Sequence, residues 1–199
     1  MFFKGVLKNQ EGVVWYHCMQ RQPERSDAMD VAELTRIDIR ARKRALITYE
    51  FMKKYVPGFE KCFIMQTAPQ LGTQGGRRII GEYMVTEKDL ETDEVFEDTI
   101  AILANNDYHE ISAKHPTLCI PYRCLVPKRM DGLLVAGRAF SSADTINESF
   151  NIIPHCIAYG QAAGTAAALA VKAGVQPRKV DYKELQTNLV KQGVNLPDI

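Results

Sequence analysis

A run of small residues, "GQAAGTAAALA" at positions 160–170, constrains the fold of this chain more than any other feature. Alanine is the strongest helix former, so the run predicts a helix, which we place over residues 151–173. It carries the small residues Gly160, Ala163, Gly164, Ala167 and Ala168. A helix with so little side-chain bulk can lie unusually close to its neighbour. We expect it to pack tightly on a sheet, with direct contact to a ligand as the alternative.

The segment before this helix predicts a ligand site. "GLLVAG" at 132–137 is a continuous apolar run ended by glycine, which is typical of a strand buried in a parallel sheet. Open α/β sheets bind ligands at the carboxyl ends of their strands, and the free N–H groups of a helix start suit an anion or an electron-rich carbonyl. The predicted ligand-binding residues are Gly137, Arg138, Ser141, Ser142, Asn151, Ile152 and Ile153.

The earlier part of the chain predicts a long helix and several strands. Apolar residues recur at helical spacing from about Asp30 to Tyr55, which indicates an amphipathic helix. The stretches 12–19, 62–68 and 77–85 are rich in β-branched and aromatic residues and predict strands. We expect the last two to pair as a hairpin. The fold class predicted from these elements is α/β.

Composition excludes several classes of partner and site. Lysine and arginine number 25 against 24 acidic residues, so the net charge of +1 predicts binding neither to nucleic acid nor to an anionic membrane. The five cysteines are scattered without a CxxC pair, and the histidines lack ligand-like spacing, so we predict no disulfide framework and no metal site. Free thiols favour a cytoplasmic location. No apolar run is long enough to span a membrane.

Five motifs in series carry a resemblance to a known family. They are "YVPGF", "RRIIGEY", "YRCLVP", "GLLVAGR" and "GQAAGTAAALA". In order and spacing they resemble the carboxyl-terminal half of FAD-dependent oxidoreductases of the glutathione-reductase-like class, over roughly residues 13–192. Several motifs in series are more specific than any one of them. The resemblance implies FAD as cofactor, with the start of the helix at Asn151 directed at the flavin ring.

The resemblance also implies the chemistry and its candidate residues. Hydride transfer would take place at flavin N5 on a small organic substrate. Arg123, Asp107 and His109 are the catalytic candidates by position in the family. A structural salt bridge for Arg123, and a hydrogen bond that stabilises the loop for the other two, are equally good interpretations. The family tends to have arginine where Gln74 and Asn151 stand here.

One family element is absent from the sequence. No GxGxxG turn, which holds the ADP half of FAD, occurs among the 199 residues. We therefore expect residues 1–116 to form a β-rich substrate-side region with the long helix, and 117–199 to form the carboxyl-terminal part of a Rossmann-like FAD-binding domain. An amino-terminal FAD-binding portion or subunit would be the partner, and a homo-oligomer is a further possibility. The alternative function is a non-catalytic remnant or assembly subunit that stabilises a partner flavoprotein.

Overall fold

The computed structural model of this chain describes residues 2–4, 12–16, 27–73, 75–105 and 114–197, with the backbone alone for 2–4. The chain divides into two compact units, Met1–Thr73 and Gln74–Ile199. Helices and short strands occur together, which confirms the predicted α/β class. No helix in the described ranges combines the length and apolarity needed to cross a bilayer.

The first unit contains a small hairpin and one long helix. Strand β1 (Phe2–Lys4) pairs antiparallel with β2 (Val14–Tyr16), which lies inside the predicted strand 12–19. Helix α1 (Val31–Tyr55) confirms the predicted long helix. The carboxylate of Asp30 accepts hydrogen bonds from two N–H groups of its first turn, and this cap explains where the helix begins.

The second unit is built on an antiparallel strand pair. Helix α2 (Glu87–Glu91) leads to β3 (Thr99–Ala104), which pairs with β4 (Thr117–Pro121). A 3₁₀ turn at Tyr122–Leu125 follows β4 directly. The predicted domain boundary at residue 116/117 falls between these two paired strands, and the boundary itself stays a prediction.

Three helices complete the second unit. Helix α3 (Asp144–Phe150) was not predicted, because seven residues with few apolar positions resemble a polar loop. Helix α4 (Ile153–Ala173) is the predicted small-residue helix, and α5 (Tyr182–Lys191) is the last helix among the described residues. Short 3₁₀ turns lie at Gly137–Ala139 and Pro177–Lys179.

Helix α4 packs against β3 and α5 through one face. That face is formed by Tyr159, Ala162, Ala166 and Ala170, all buried. Tight packing of the helix is therefore confirmed. The prediction was wrong for Gly160 and Gly164, because a β-carbon added at either glycine would have no heavy atom within 4 Å. Alanines at four-residue spacing, and not the glycines, give the close approach.

The apolar run "GLLVAG" is not a strand of a parallel sheet. Residues 133–136 are extended, but their single backbone–backbone hydrogen bond among the described residues joins the N–H of Val135 to the carbonyl of Leu125. Leu134 and Ala136 pack against the core. The apolar side chains explain why this segment packs against the core. A strand also requires a neighbouring strand with which it forms regular backbone hydrogen bonds.

The predicted hairpin of 62–68 with 77–85 is also wrong. Residues 62–68 have no strand assignment, and the guanidinium of Arg42 on α1 binds Thr67 Oγ and the Ala68 carbonyl. Residues 79–85 instead form a strap bonded on both sides, to 123–128 and to 139–143. These backbone partners all belong to the strap's own unit.

Gly81 lets this strap lie close to the segment at 139–143. A β-carbon at position 81 would stand 2.8 Å from Ser141 Cβ and 2.9 Å from the Tyr83 carbonyl oxygen. Real β-carbons essentially never make such contacts, so only glycine fits without a shift of the backbone.

Candidate functional site

The predicted ligand site is organised around the 3₁₀ turn Gly137–Ala139. Gly137 has φ +73°, which places it in the left-handed region that L-residues rarely adopt. A β-carbon there would meet only Cys156 Sγ, at 4.0 Å. Glycine is therefore required at this position by backbone conformation and not by lack of space.

The carbonyl groups of this turn are all bonded inside the protein. The donors are the N–H of Phe140 for Gly137 (3.1 Å), Nδ2 of Asn147 for Arg138 (2.8 Å) and the N–H of Ile79 for Ala139 (3.0 Å). The N–H group of Ala139 is directed at the Ala136 carbonyl, since residues 137–139 form a 3₁₀ turn. In the described part of the chain, the N–H group of Gly137 has no backbone acceptor, so the turn keeps this one backbone donor for a ligand.

The side chain of Asn147 connects three of the predicted ligand-binding residues. Asn147 is only 1% exposed. Its Nδ2 donates to the Arg138 carbonyl at 2.8 Å and to Ser142 Oγ at 3.3 Å, and its Oδ1 accepts from Asn151 Nδ2 at 3.0 Å. The sequence analysis missed Asn147. No pattern in the sequence marks it, because the burial of Asn147 with Ile146 and Phe150 on α3 is decided by tertiary packing.

Ser141 holds the strap against the site. Its buried Oγ accepts a hydrogen bond from the N–H of Gly81 at 3.0 Å, and its carbonyl accepts from the N–H of Val85 at 3.2 Å. These bonds engage Ser141 within the protein. A cofactor contact of Ser141 stays a prediction. Its observed role is structural, since it binds the strap.

The start of α4 presents backbone donors close to the turn. Ile152 is the N-cap residue, and no side chain caps the helix. Pro154 lies in the first turn, where a missing N–H disturbs no helical hydrogen bond. Ile153 is 78% exposed. The partial positive charge of a 21-residue helix is therefore not neutralised by a capping side chain.

Two neighbouring titratable side chains at the start of α4, of which Cys156 lies beside the turn, favour their neutral forms. His155 is buried, its ring stacks on Phe150 at 5.6 Å between centroids, and its Nδ1 has no hydrogen-bond partner in the described ranges. Burial lowers the pKa of His155. Burial also raises the pKa of Cys156, an effect that Arg138 opposes. Positive charge near the turn therefore comes from the helix start and from Arg138.

Arg123 forms a bidentate ion pair. Its Nε and Nη2 lie 3.0 and 3.1 Å from the two carboxylate oxygens of Asp98, whose side chain is 5% exposed. The guanidinium also stands 5.2 Å from the Tyr83 ring centroid. The hydrogen bond to Asp98 raises the pKa of Arg123. This geometry fits the structural alternative, and a catalytic role for Arg123 stays a prediction.

The remaining predicted residues are placed as follows. Asp107, His109 and Gln74 lie outside the described residues. The side chain of Asn151, where the family tends to have arginine, is engaged by Asn147. Within the described ranges, no group of three His, Cys, Asp or Glu side chains could hold a metal ion.

A glycine turn with inward carbonyls beside an uncapped helix start defines a site for an electron-rich carbonyl or an anion in an α/β protein. The model of one family, described as FAD dependent oxidoreductase, matches residues 2–189. The chain therefore belongs to this family, whose cofactor is FAD. No curated protein and no solved structure matches the chain.

The residues of the site fit the ring end of this cofactor. The flavin ring carries two carbonyl groups on its pyrimidine side, and they accept hydrogen bonds of the kind that the N–H group of Gly137 can donate. The residues that would hold the phosphates are not apparent, because the glycine-rich turn used for that purpose is absent from the sequence.

Proposed function

We propose that this chain contributes the isoalloxazine-side contacts, and part of the substrate site, of an FAD-dependent oxidoreductase. The observation that carries the proposal is the turn Gly137–Ala139, whose three carbonyls are bonded inside the protein while the Gly137 N–H has no backbone acceptor among the described residues. Family membership supplies the identity of the ligand.

The chain's own residues would bind and orient the ring. When bound, FAD supplies hydride transfer at N5 to or from a small organic substrate. The N–H group of Gly137 would bind a pyrimidine carbonyl, and the start of α4 at Ile153 would favour negative charge there. Such donors stabilise the reduced ring more than the oxidised ring, because reduction adds electron density to the ring.

The rest of the assembly belongs to the same proposal. An amino-terminal portion or subunit with a GxGxxG turn would hold the ADP half of FAD. This chain would then be the carboxyl-terminal portion of the enzyme. The enzyme would belong to the glutathione-reductase-like class, and this chain would contribute a Rossmann-like layer. Arg123, Asp107 and His109 would face the substrate. We place the protein in the cytoplasm. The alternative is a non-catalytic remnant or an assembly subunit that stabilises a partner flavoprotein. The two are separated by whether the flavin absorbance of the complete assembly changes during turnover.

The test uses riboflavin, which carries the isoalloxazine ring without phosphates. We expect the protein to quench riboflavin fluorescence on titration. Gly137→Val should weaken this binding, because a β-branched residue in the left-handed region costs about 1–3 kcal/mol. Lys172→Ala is the control, since Lys172 is exposed in the last turn of α4 and the effect of the helix dipole fades within one turn. Equal affinity in the two variants would show that the turn does not contact the ring.

A further inference from the structure

Asn147 is the residue that connects the separate parts of this site. It lies on α3, between the turn at Gly137–Ala139 and the start of α4 at Ile153. Its amide contacts a backbone carbonyl of the turn and the Ser142 hydroxyl, and its own oxygen accepts from Asn151. Three chain segments are thus joined through one buried amide.

A purely structural side chain at this position would not need to be polar. Burying an amide costs free energy unless it is hydrogen-bonded, and leucine has the same number and branching of side-chain heavy atoms without the polar groups. What leucine would not supply is a donor for the Arg138 carbonyl. Loss of that donor removes a buried hydrogen bond from the turn and should loosen its conformation.

We propose that Asn147 is a positioning residue, which fixes the conformation of the turn Gly137–Ala139 in which its carbonyls are bonded inside the protein and the Gly137 N–H group is left for the flavin ring. The proposal rests on the proposed function, since the ligand is the flavin ring. Asn147 acts through the backbone of the turn and not by touching the ring.

The first experiment measures the turn directly, without ligand. Hydrogen exchange of the wild-type protein is compared with Asn147→Leu and with Asn195→Leu, whose asparagine is exposed. We expect faster exchange over residues 137–142 in Asn147→Leu alone, with β3 and β4 unchanged. Unchanged exchange over 137–142 would overturn the proposal, and faster exchange throughout the unit would show a general loss of stability instead, which also overturns it.

The second experiment measures riboflavin affinity of the same proteins. Loss of the donor should raise the dissociation constant about tenfold in Asn147→Leu and leave Asn195→Leu like the wild type. Faster exchange with unchanged affinity would overturn the link between Asn147 and the ring. A further outcome is that the wild type binds no riboflavin although exchange at the turn still depends on Asn147. In that case the proposed function fails. The assignment of the flavin ring as the ligand of the turn that Asn147 positions is then overturned as well.

Asn147→Asp adds a readout that a purely structural role would not change. The introduced carboxyl, when protonated, donates one hydrogen bond to the Arg138 carbonyl; when ionised, it donates none and repels that oxygen. Riboflavin affinity of Asn147→Asp should therefore rise as pH falls and approach the wild-type value. A pH profile parallel to that of the wild type would overturn the proposal.

Other titratable groups near this position are present in both proteins. They are Asp144 and Glu148 on α3, Arg138 in the turn, and His155 and Cys156 on α4. Because each is present in the wild type as well, the difference between the two profiles reports on the introduced carboxyl.

Discussion

The guanidinium of Arg123 binds both carboxylate oxygens of the buried Asp98, and the backbone N–H of Arg123 donates to the same carboxylate at 3.0 Å. Asp98 thus receives three hydrogen bonds from one residue. Charge-assisted, bidentate pairs of this kind are among the stronger side-chain interactions in proteins. The pair anchors the 3₁₀ turn after β4 to the loop before β3.

Asp98→Ala should destabilise the protein by about 2 kcal/mol, because hydrogen bonds to charged groups contribute roughly 1.5–3 kcal/mol. Arg123→Ala should cost less than Asp98→Ala, since the backbone N–H at 123 still binds the carboxylate. Urea unfolding monitored by circular dichroism measures both. A larger loss in Arg123→Ala than in Asp98→Ala would contradict this assignment of the pair.

Two glycine substitutions should change stability in opposite directions. Gly81→Ala introduces a β-carbon 2.8 Å from Ser141 Cβ, and overpacking of this kind costs about 1–3 kcal/mol. Gly160→Ala places a methyl group on the open face of α4, where helix propensity alone should add up to about 1 kcal/mol. Thermal unfolding of the two variants gives the comparison. A stabilised Gly81→Ala would show that the strap does not lie against Ser141.

FAD should bind this chain no more tightly than riboflavin. The phosphates of a dinucleotide normally rest on a GxGxxG turn, and this sequence has none, so the ADP half adds no contact that the structure identifies. Isothermal titration calorimetry with both ligands is the measurement. Submicromolar affinity for FAD together with weak riboflavin binding would reveal a phosphate site elsewhere in the chain.

Stability should fall as pH is lowered through the histidine range. Burial lowers the pKa of His155 below its ordinary value of 6.5, so the unfolded chain binds a proton at a pH where the folded protein does not. The stabilisation is complete above 6.5 and is lost as pH falls toward the folded-state pKa. Urea unfolding between about pH 8 and pH 5 measures the slope. His155→Gln should remove this part of it, whereas a wild-type slope that persists in the variant would assign it to other groups.

Local patterns determined much of the secondary structure. The capped, periodic stretch before Tyr55 became α1, and the alanine-rich run became α4, because helices depend on contacts within a few residues. Chain order also suggested that Arg138, Ser142 and Asn151 lie close together, and all three contact Asn147, since a short loop joins the turn to the helix. Their role in binding a ligand stays a prediction.

Tertiary structure decided what those patterns left open. Strand pairing depends on distant partners, so 77–85 became a strap bonded to 123–128 and 139–143 instead of a hairpin strand. The role of Asn147 was equally invisible, because nothing in "DTINESF" shows that its amide will be buried against the Arg138 carbonyl. Periodicity in the sequence predicts which residues are buried. Hydrogen bonds between residues far apart in sequence form only when their segments pack together, so the sequence pattern does not predict them.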